Sequence, residues 1–406
     1  MAPPPPPMID DVAAEILLRL PPDEPEHLFR AALVCKPWLR IICGPGFRRC
    51  YREFHGAPPL LGLLHRLMVL QGEPPARFAS TTLMPEFPHP GSDGRSTSPL
   101  DCRHGRVLIH MFDGERGYLV WDPVTGDRHY LPPEPKEIDW LIYSAAVLCA
   151  TDGCDHLDCH GGPFRVVFAA THDHKDMILA SVYSSETGVW SVPVCLDNTC
   201  ESYARHELRQ KQQQRRPYYT PYLQPRRGTL VGDAVYFTVA KGNAIVTYDL
   251  GKDRLSMIDP PQPDVYYIAL MAMDSNTSLG FACIQGSSLY TWSRKVDTEE
   301  AAEWVQYRVI ELERTVPVSG GPLDEKIFRV GFPKGVDVAV VGFAEGVGVV
   351  FVSSGVGLFM IKLSSGQVKK VDEPGEYFSV LPYMSFYLPE IGNGGGHGAT
   401  DLPHSA

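Results

Sequence analysis

The sequence predicts a mainly β protein with a small N-terminal α domain: three short helices followed by a β-propeller-like domain of about six blades, with a β-sandwich as the structural alternative. Three observations carry this prediction. Apolar residues recur with helical spacing between residues 9 and 55 and alternate as in strands from Pro58 onward. A hairpin with a glycine-containing or polar turn recurs five times. Finally, 37 Gly and 37 Pro among 406 residues call for many turns rather than long helices.

Ile9, Val12, Ile16 and Leu20 recur at spacings of three and four with Leu17 beside them, so a helix opened by Asp10 and Asp11 presents one apolar stripe. Pro21 and Pro22 stop it. Leu28, Ala31, Ala32 and Cys35 form a second periodic run, ended by Pro37, which suits the first turn of a third helix holding Trp38, Leu39 and Ile42. So small a unit buries little of its own surface, and its apolar side chains call for a partner. A helical cap lying on the β domain is the other use for them.

Tyr118 to Trp121 turns through Asp122 to Gly126 and returns as His129 to Leu131. Later copies start at Ala180 to Tyr183, Ile245 to Tyr248, Ser288 to Trp292 and Leu358 to Ile361, and return near Trp190, Leu255, Trp304 and Val368. Each is preceded by a further apolar strand, so three or four strands repeat at intervals of roughly 45 to 70 residues, the size of a propeller blade. Residues 58 to 84 together with Tyr377 to Tyr387 are placed to make a sixth blade that joins the ends of the ring. Val338 to Ile361 is long and apolar enough for a membrane span, but Glu345 and the glycines at 342, 346, 348, 355 and 357 cut it into strand-sized pieces. The expected organisation is a disordered Pro-rich start (1–8), a helical domain (9–55), a β domain (58–390) and a disordered tail (391–406).

A net charge of −11 disfavours nucleic acid and anionic membrane as partners. The start of the chain carries Pro3 to Pro7 rather than the apolar run of a signal peptide, so a cytoplasmic or nuclear location is expected, with the ten cysteines reduced.

Cys154, His156, Cys159 and His160, with Cys149 nearby, offer the thiolate and imidazole ligands that zinc takes. Their spacing fits no common finger, so a polar loop between two strands is expected and neither metal nor cofactor is assigned. His172-Asp173-His174 reads as a turn. The basic, glutamine-rich run from Arg205 to Arg216, continuing to Arg226 and Arg227, reads as a long exposed loop, or else as a patch for an acidic target peptide. Gly346-Val347-Gly348 and Gly355-Val356-Gly357 lack the third glycine of a dinucleotide loop, and no phosphate loop, Gly-x-Ser-x-Gly elbow or His-Glu-x-x-His motif is found. No catalytic residue is assigned.

The run from Asp10-Asp11-Val12 through Leu20-Pro21-Pro22, followed by Leu33-Val34-Cys35-Lys36-Pro37-Trp38 and Phe47-Arg48-Arg49, resembles an F-box. Cys102-Arg103-His104-Gly105-Arg106, Trp121-Asp122-Pro123 and Tyr183-Ser184-Ser185-Glu186-Thr187-Gly188 resemble the associated kelch- or propeller-like β domains of the large plant F-box families. Where that family opens with Leu-Pro, this chain has Met8-Ile9. The resemblance implies a non-catalytic, substrate-recruiting subunit of a Skp-cullin-F-box ubiquitin ligase. Such a subunit binds the linker protein and, through it, the cullin, and holds a target with its β domain. By the same resemblance the linker contacts are Val12, Ile16, Leu17, Leu20, Pro21, Leu33, Val34, Cys35 and Trp38. A propeller enzyme or ligand-binding module capped by helices, and an F-box scaffold outside a ligase, are the alternatives. Buried acids or histidines at the propeller axis would favour the enzyme.

Overall fold

The structure, a computed structural model, describes residues 10–67, 78–90, 97–112, 117–136, 138–175, 177–196, 200–201, 203–205, 208, 222–240, 244–260, 268–274, 277–295, 303–312, 316, 338–373 and 377–390. Met8-Ile9, the run Arg209 to Arg216 and both expected disordered ends lie outside the described residues. The chain forms two compact units. One comprises the helices through Pro58 with Thr82–Met84 and the segment from Phe386, and the other comprises Pro59–Thr81 and Pro85–Ser385.

The helical unit contains α1 (Asp10–Leu17), α2 (Glu26–Ala32), α3 (Lys36–Cys43) and α4 (Pro45–His55). The first three match the periodic runs, with Asp10 and Asp11 in the first turn of α1 and a proline at the start of α3. The fourth helix was not expected, because Gly44-Pro45-Gly46 resembles a turn. Gly44 instead takes an extended conformation as N-cap and Pro45 opens the helix, where a missing N–H costs nothing. Helix α4 completes the unit. Tyr51 is fully buried and its hydroxyl donates to the Leu20 carbonyl at 2.7 Å, while the His55 ring donates to the Leu18 carbonyl at 3.0 Å. Those carbonyls follow the end of α1 and have no partner within that helix. Residues after the last strand return to the same unit: Phe386 packs edge-on against Tyr51, Tyr387 lies 4.9 Å from Phe29 and Glu390 pairs with Arg48. By contact, the stretch from Phe386 to 390, expected in the β domain, groups with the helices.

The second unit holds six antiparallel sheets. Strands β3 (Thr97–Arg103), β4 (Arg106–Met111), β5 (Gly117–Trp121) and β6 (Arg128–Leu131) make the first blade in simple meander order. The second is built from β7 (Trp140–Cys149), β8 (Phe164–His172), β9 (Ile178–Ser184) and two short outer strands. The third holds β12 (Tyr222–Leu223), β13 (Thr229–Val231), β14 (Ala234–Ala240), β15 (Ala244–Asp249) and β16 (Arg254–Ile258). Strands β17 (Ala269–Met273) to β20 (Glu303–Glu311) make the fourth, and β21 (Val338–Ala344), β22 (Val349–Ser354), β23 (Gly357–Lys362) and β24 (Val368–Asp372) the fifth. The apolar run considered as a membrane span is thus three strands of one blade, and no described helix is long and apolar enough to cross a membrane. The sixth blade pairs β1 (Leu60–Leu67) with both β2 (Phe78–Ser80) and β25 (Tyr377–Met384), so the two ends of the β domain share one sheet.

Innermost strands touch in the cycle β3, β7, β12, and then β13, β17, β21, β25 and back to β3. The sheets therefore close as a six-bladed propeller, and the sandwich alternative falls. Apolar cores lie between neighbouring blades: Leu108 and Val120 meet Val147 and Phe168, Val167 and Ala169 meet Phe237 and Val246, and Leu289 meets Val350 and Phe359. Each fully buried side chain of this size contributes about 1.5 to 3 kcal/mol. Because both faces of a blade are covered, ring closure removes apolar area that an open array would leave wet.

Candidate functional site

Three groupings of side chains stand out. The first lies on the helical unit. Val12 and Ile16, one turn apart on α1, are half exposed, and Leu33 and Val34, in the turn between α2 and α3, are 86% and 66% exposed. Cys35 beside them is exposed as well, and Leu20, Pro21 and Trp38 are half-buried. Leu17 differs. It projects from the inner side of α1 with Ala13 and is 2% exposed, so it belongs to the unit's own core. Single exposed apolar residues are ordinary, but so many in so few residues mark a surface meant to be covered.

The second grouping lies where the innermost strands converge, and it corrects the reading of Arg226 and Arg227 as part of an exposed basic loop. Arg226 is 7% exposed and donates to the carbonyls of Ile268 and Val340 at 3.1 and 3.2 Å. Arg227 donates to Asp101 at 2.9 Å, to the Cys102 carbonyl at 2.9 Å and to Glu345 at 3.2 Å. Arg103 donates to the Gly228 carbonyl at 2.8 Å and lies 3.7 Å from Glu345. Asp101, fully buried, also accepts the backbone N–H groups of Cys102 and Val147. Burial alone would lower the Arg227 pKa, but Glu345 and Asp101 outweigh it and hold the guanidinium firmly charged. The cavity left beside Arg226 and Arg227 is about 20 Å³, room for roughly one water. Asp101 and Glu345 balance Arg103 and Arg227 while backbone carbonyls hold Arg226, and together these contacts tie several blades together. Partners more than a hundred residues away account for the burial, which a local reading of basic residues misses.

The third grouping is the cysteine-rich loop between β7 and β8. Cys149, Cys154, His156 and Cys159 bring one ligand atom each to within 4.8 Å of all the others. His160, expected alongside them, turns away to contact Asp122 and lies 3.3 Å from Ser385. The positive φ of His156 (61°) and of Gly153 and Gly161 folds the loop back on itself, something spacing alone does not reveal. Arg106 donates to the carbonyls of Cys159 and Gly162, and His104, with its Nδ1 accepting the Cys149 N–H at 3.2 Å, stacks on His156 with ring centres 3.9 Å apart. Burial first, then His156 and nearby arginines, pushes the His104 imidazole down to about 2, so it is neutral. The Cys-Arg-His-Gly-Arg run thus feeds the axis through Arg103 and the cysteine loop through His104 and Arg106. His172-Asp173-His174 is a local turn, the His174 N–H donating to the His172 ring.

Comparison with known proteins agrees with this architecture. Residues 8–50 match the F-box domain, and residues 99–390 match the family described as F-box protein AT5G49610-like, beta-propeller. A curated relative, F-box protein At5g03970 of Arabidopsis thaliana, is 24% identical over 303 residues, covering 70% of this chain. The chain spans 64% of that relative's length. Among solved structures, the β-propeller domain of Myceliophteria thermophila Cps50 (Swd1) is similar over 68% of this chain and 74% of its own, at 12% identity and a TM-score of 0.37. A functionally unknown protein from Desulfotomaculum acetoxidans reaches 0.39 at 9% identity over 78% and 81%. Scores so low add nothing to the assignment. With a helical F-box unit, a closed six-bladed ring and a family match spanning most of the sequence, this chain belongs to the F-box proteins with an AT5G49610-like beta-propeller.

Proposed function

We infer that this F-box protein is the substrate-recruiting subunit of a Skp-cullin-F-box ubiquitin ligase, docking a Skp-type linker protein through its helical unit and presenting a target with its propeller. The observation that carries the reading is the set of apolar side chains left in water on the helical unit, Val12, Ile16, Leu33 and Val34. Covering a few such anchors dominates a stable interface. Leu20, Pro21, Cys35 and Trp38 extend the proposed contact, while Leu17 supports it from beneath. A propeller enzyme is disfavoured by the axis: it holds paired arginines and acids with no histidine among the contacts described, and the space beside Arg226 and Arg227 admits little more than a water. Ubiquitin transfer in this reading belongs to other subunits, and the location is cytoplasmic or nuclear, where those subunits work.

The test is affinity purification with a Skp-type linker. Ile16→Asp combined with Leu33→Asp alters only exposed positions and is expected to reduce linker recovery by at least about tenfold, the effect of losing one or two apolar anchors. Leu20→Ala with Trp38→Ala is expected to abolish it. Full recovery with both double variants would overturn the docking assignment, and recovery of the linker without cullin would favour a scaffold outside the ligase.

A further inference from the structure

We propose that Cys149, Cys154, His156 and Cys159 form a structural zinc site that pins the β7–β8 loop to the propeller. This site stands apart from the ligase role and does not depend on it.

The geometry is that of a coordination shell. With Zn–S near 2.3 Å and Zn–N near 2.0 to 2.1 Å, a tetrahedron has S···S edges of about 3.8 Å and S···N edges of about 3.6 Å. Cys154 Sγ lies 3.7 Å from Cys159 Sγ, and Cys159 Sγ lies 3.6 Å from His156 Nδ1. No other edge exceeds 4.8 Å, so closure on an ion asks for shifts of about 1 Å or less. The cysteines are not paired with one another: all three are free, and a disulfide would hold the sulfurs near 2.05 Å.

The surroundings support charged sulfur. The His156 N–H points to Cys154 Sγ at 3.4 Å, an amide-to-sulfur contact that favours thiolate. Zn²⁺ with three thiolates and one imidazole carries a formal charge of −1, and Arg106, 4% exposed, closes over the loop through the Cys159 and Gly162 carbonyls. His104 stacks on the His156 ring and accepts the Cys149 N–H, so one side chain backs two of the four ligand residues. Three soft sulfurs and a nitrogen within reach of a single ion select zinc over harder cations. Four protein ligands leave no open position for substrate, so the site is structural. Its consequence is mechanical. The loop spans residues 150–163 without helix or strand, and the metal would fasten it at both ends.

Metal analysis of the full-length protein, purified without chelator, is expected to find about one zinc per chain. Cys154→Ser with Cys159→Ser should bring zinc to background, while His160→Ala should retain it. Should the double variant fail to fold, the wild-type chain still decides the matter. Cobalt exchanged for zinc should show thiolate-to-metal absorption. Cys149, Cys154 and Cys159 should resist alkylation until a chelator is added, whereas exposed Cys35 and Cys195 react throughout. Substoichiometric zinc in the wild type, a disulfide between Cys154 and Cys159, or full zinc in the double variant would each overturn the proposal.

Discussion

At the scale of single residues, the strongest commitments are polar groups buried in the ring. Asp101 accepts from Arg227 and from two backbone N–H groups while fully buried, so Asp101→Asn leaves guanidinium charge uncompensated. Breaking such a buried pair costs about 3 to 5 kcal/mol, and a urea titration should show a lower midpoint with an unchanged slope. His89 makes a different prediction. Burial, reinforced by Arg128, lowers its pKa to about 4 from the ordinary 6.5. The unfolded chain therefore binds a proton between those values that the folded chain refuses. Its contribution is full above pH 6.5 and declines as pH falls toward 4. His89→Phe, which keeps a ring against Trp121, is expected to flatten the acid limb of stability over that window, measured as unfolding midpoint against pH. Little of this was readable in advance. Arg226 and Arg227 were grouped with neighbouring basic residues because sequence shows adjacency, whereas their partner Glu345 lies 118 positions from Arg227. Cys154 and Cys159 were visible as ligands, but the bringing together of His156 rather than His160 goes with the positive φ at Gly153, His156 and Gly161 and the pairing of His160 with Asp122.

At the scale of elements, the turns between strands were the most legible part. The five hairpins read from the sequence are the outer strands of five blades, found by their turns: the first strand of a hairpin, such as β5 or β15, is largely buried, and the outermost, such as β6 or β20, is the more exposed. Innermost strands such as β7 and β21 are covered on both faces, so Ala145 to Leu148 and Val338 to Ala344 are uniformly buried and carry no alternation to read. Gly342 shows why glycine sits in such a strand. A Cβ there would lie 2.5 Å from the carbonyl oxygen of Val380 on β25. Since backbone must yield, Gly342→Ala should cost about 1 to 3 kcal/mol, seen as a fall in melting temperature. Helix α4 was hidden for another reason. Its apolar contacts, Phe47, Tyr51 and the ring of His55, are interleaved with Arg48, Arg49, Arg52 and Glu53, and the helix matters less for its stripe than for the carbonyls it satisfies.

At the scale of the whole molecule, the ring closes by pairing β1 with β25, so neither end of the β domain is dispensable. A chain ending before Tyr377 should fail to fold cooperatively and should aggregate, because β1 would keep only its short pairing with β2 and the apolar cover of Ala339, Val341 and Ala344 by Val380 would be lost. A chain ending after Ser385 keeps the ring but loses Phe386, Tyr387 and Glu390 from the helical unit. That clipped chain is expected to remain folded by β-sheet circular dichroism and to bind a Skp-type linker more weakly.

The contact between Arg48 and Glu390 spans 342 positions. During synthesis the four helices emerge from the ribosome first, yet the segment that completes them arrives only after all six blades have been made. A nascent or prematurely terminated chain therefore carries an unfinished helical unit. In the role proposed above, a chain cut short within the ring would lack this segment and would compete poorly with the full chain for the linker.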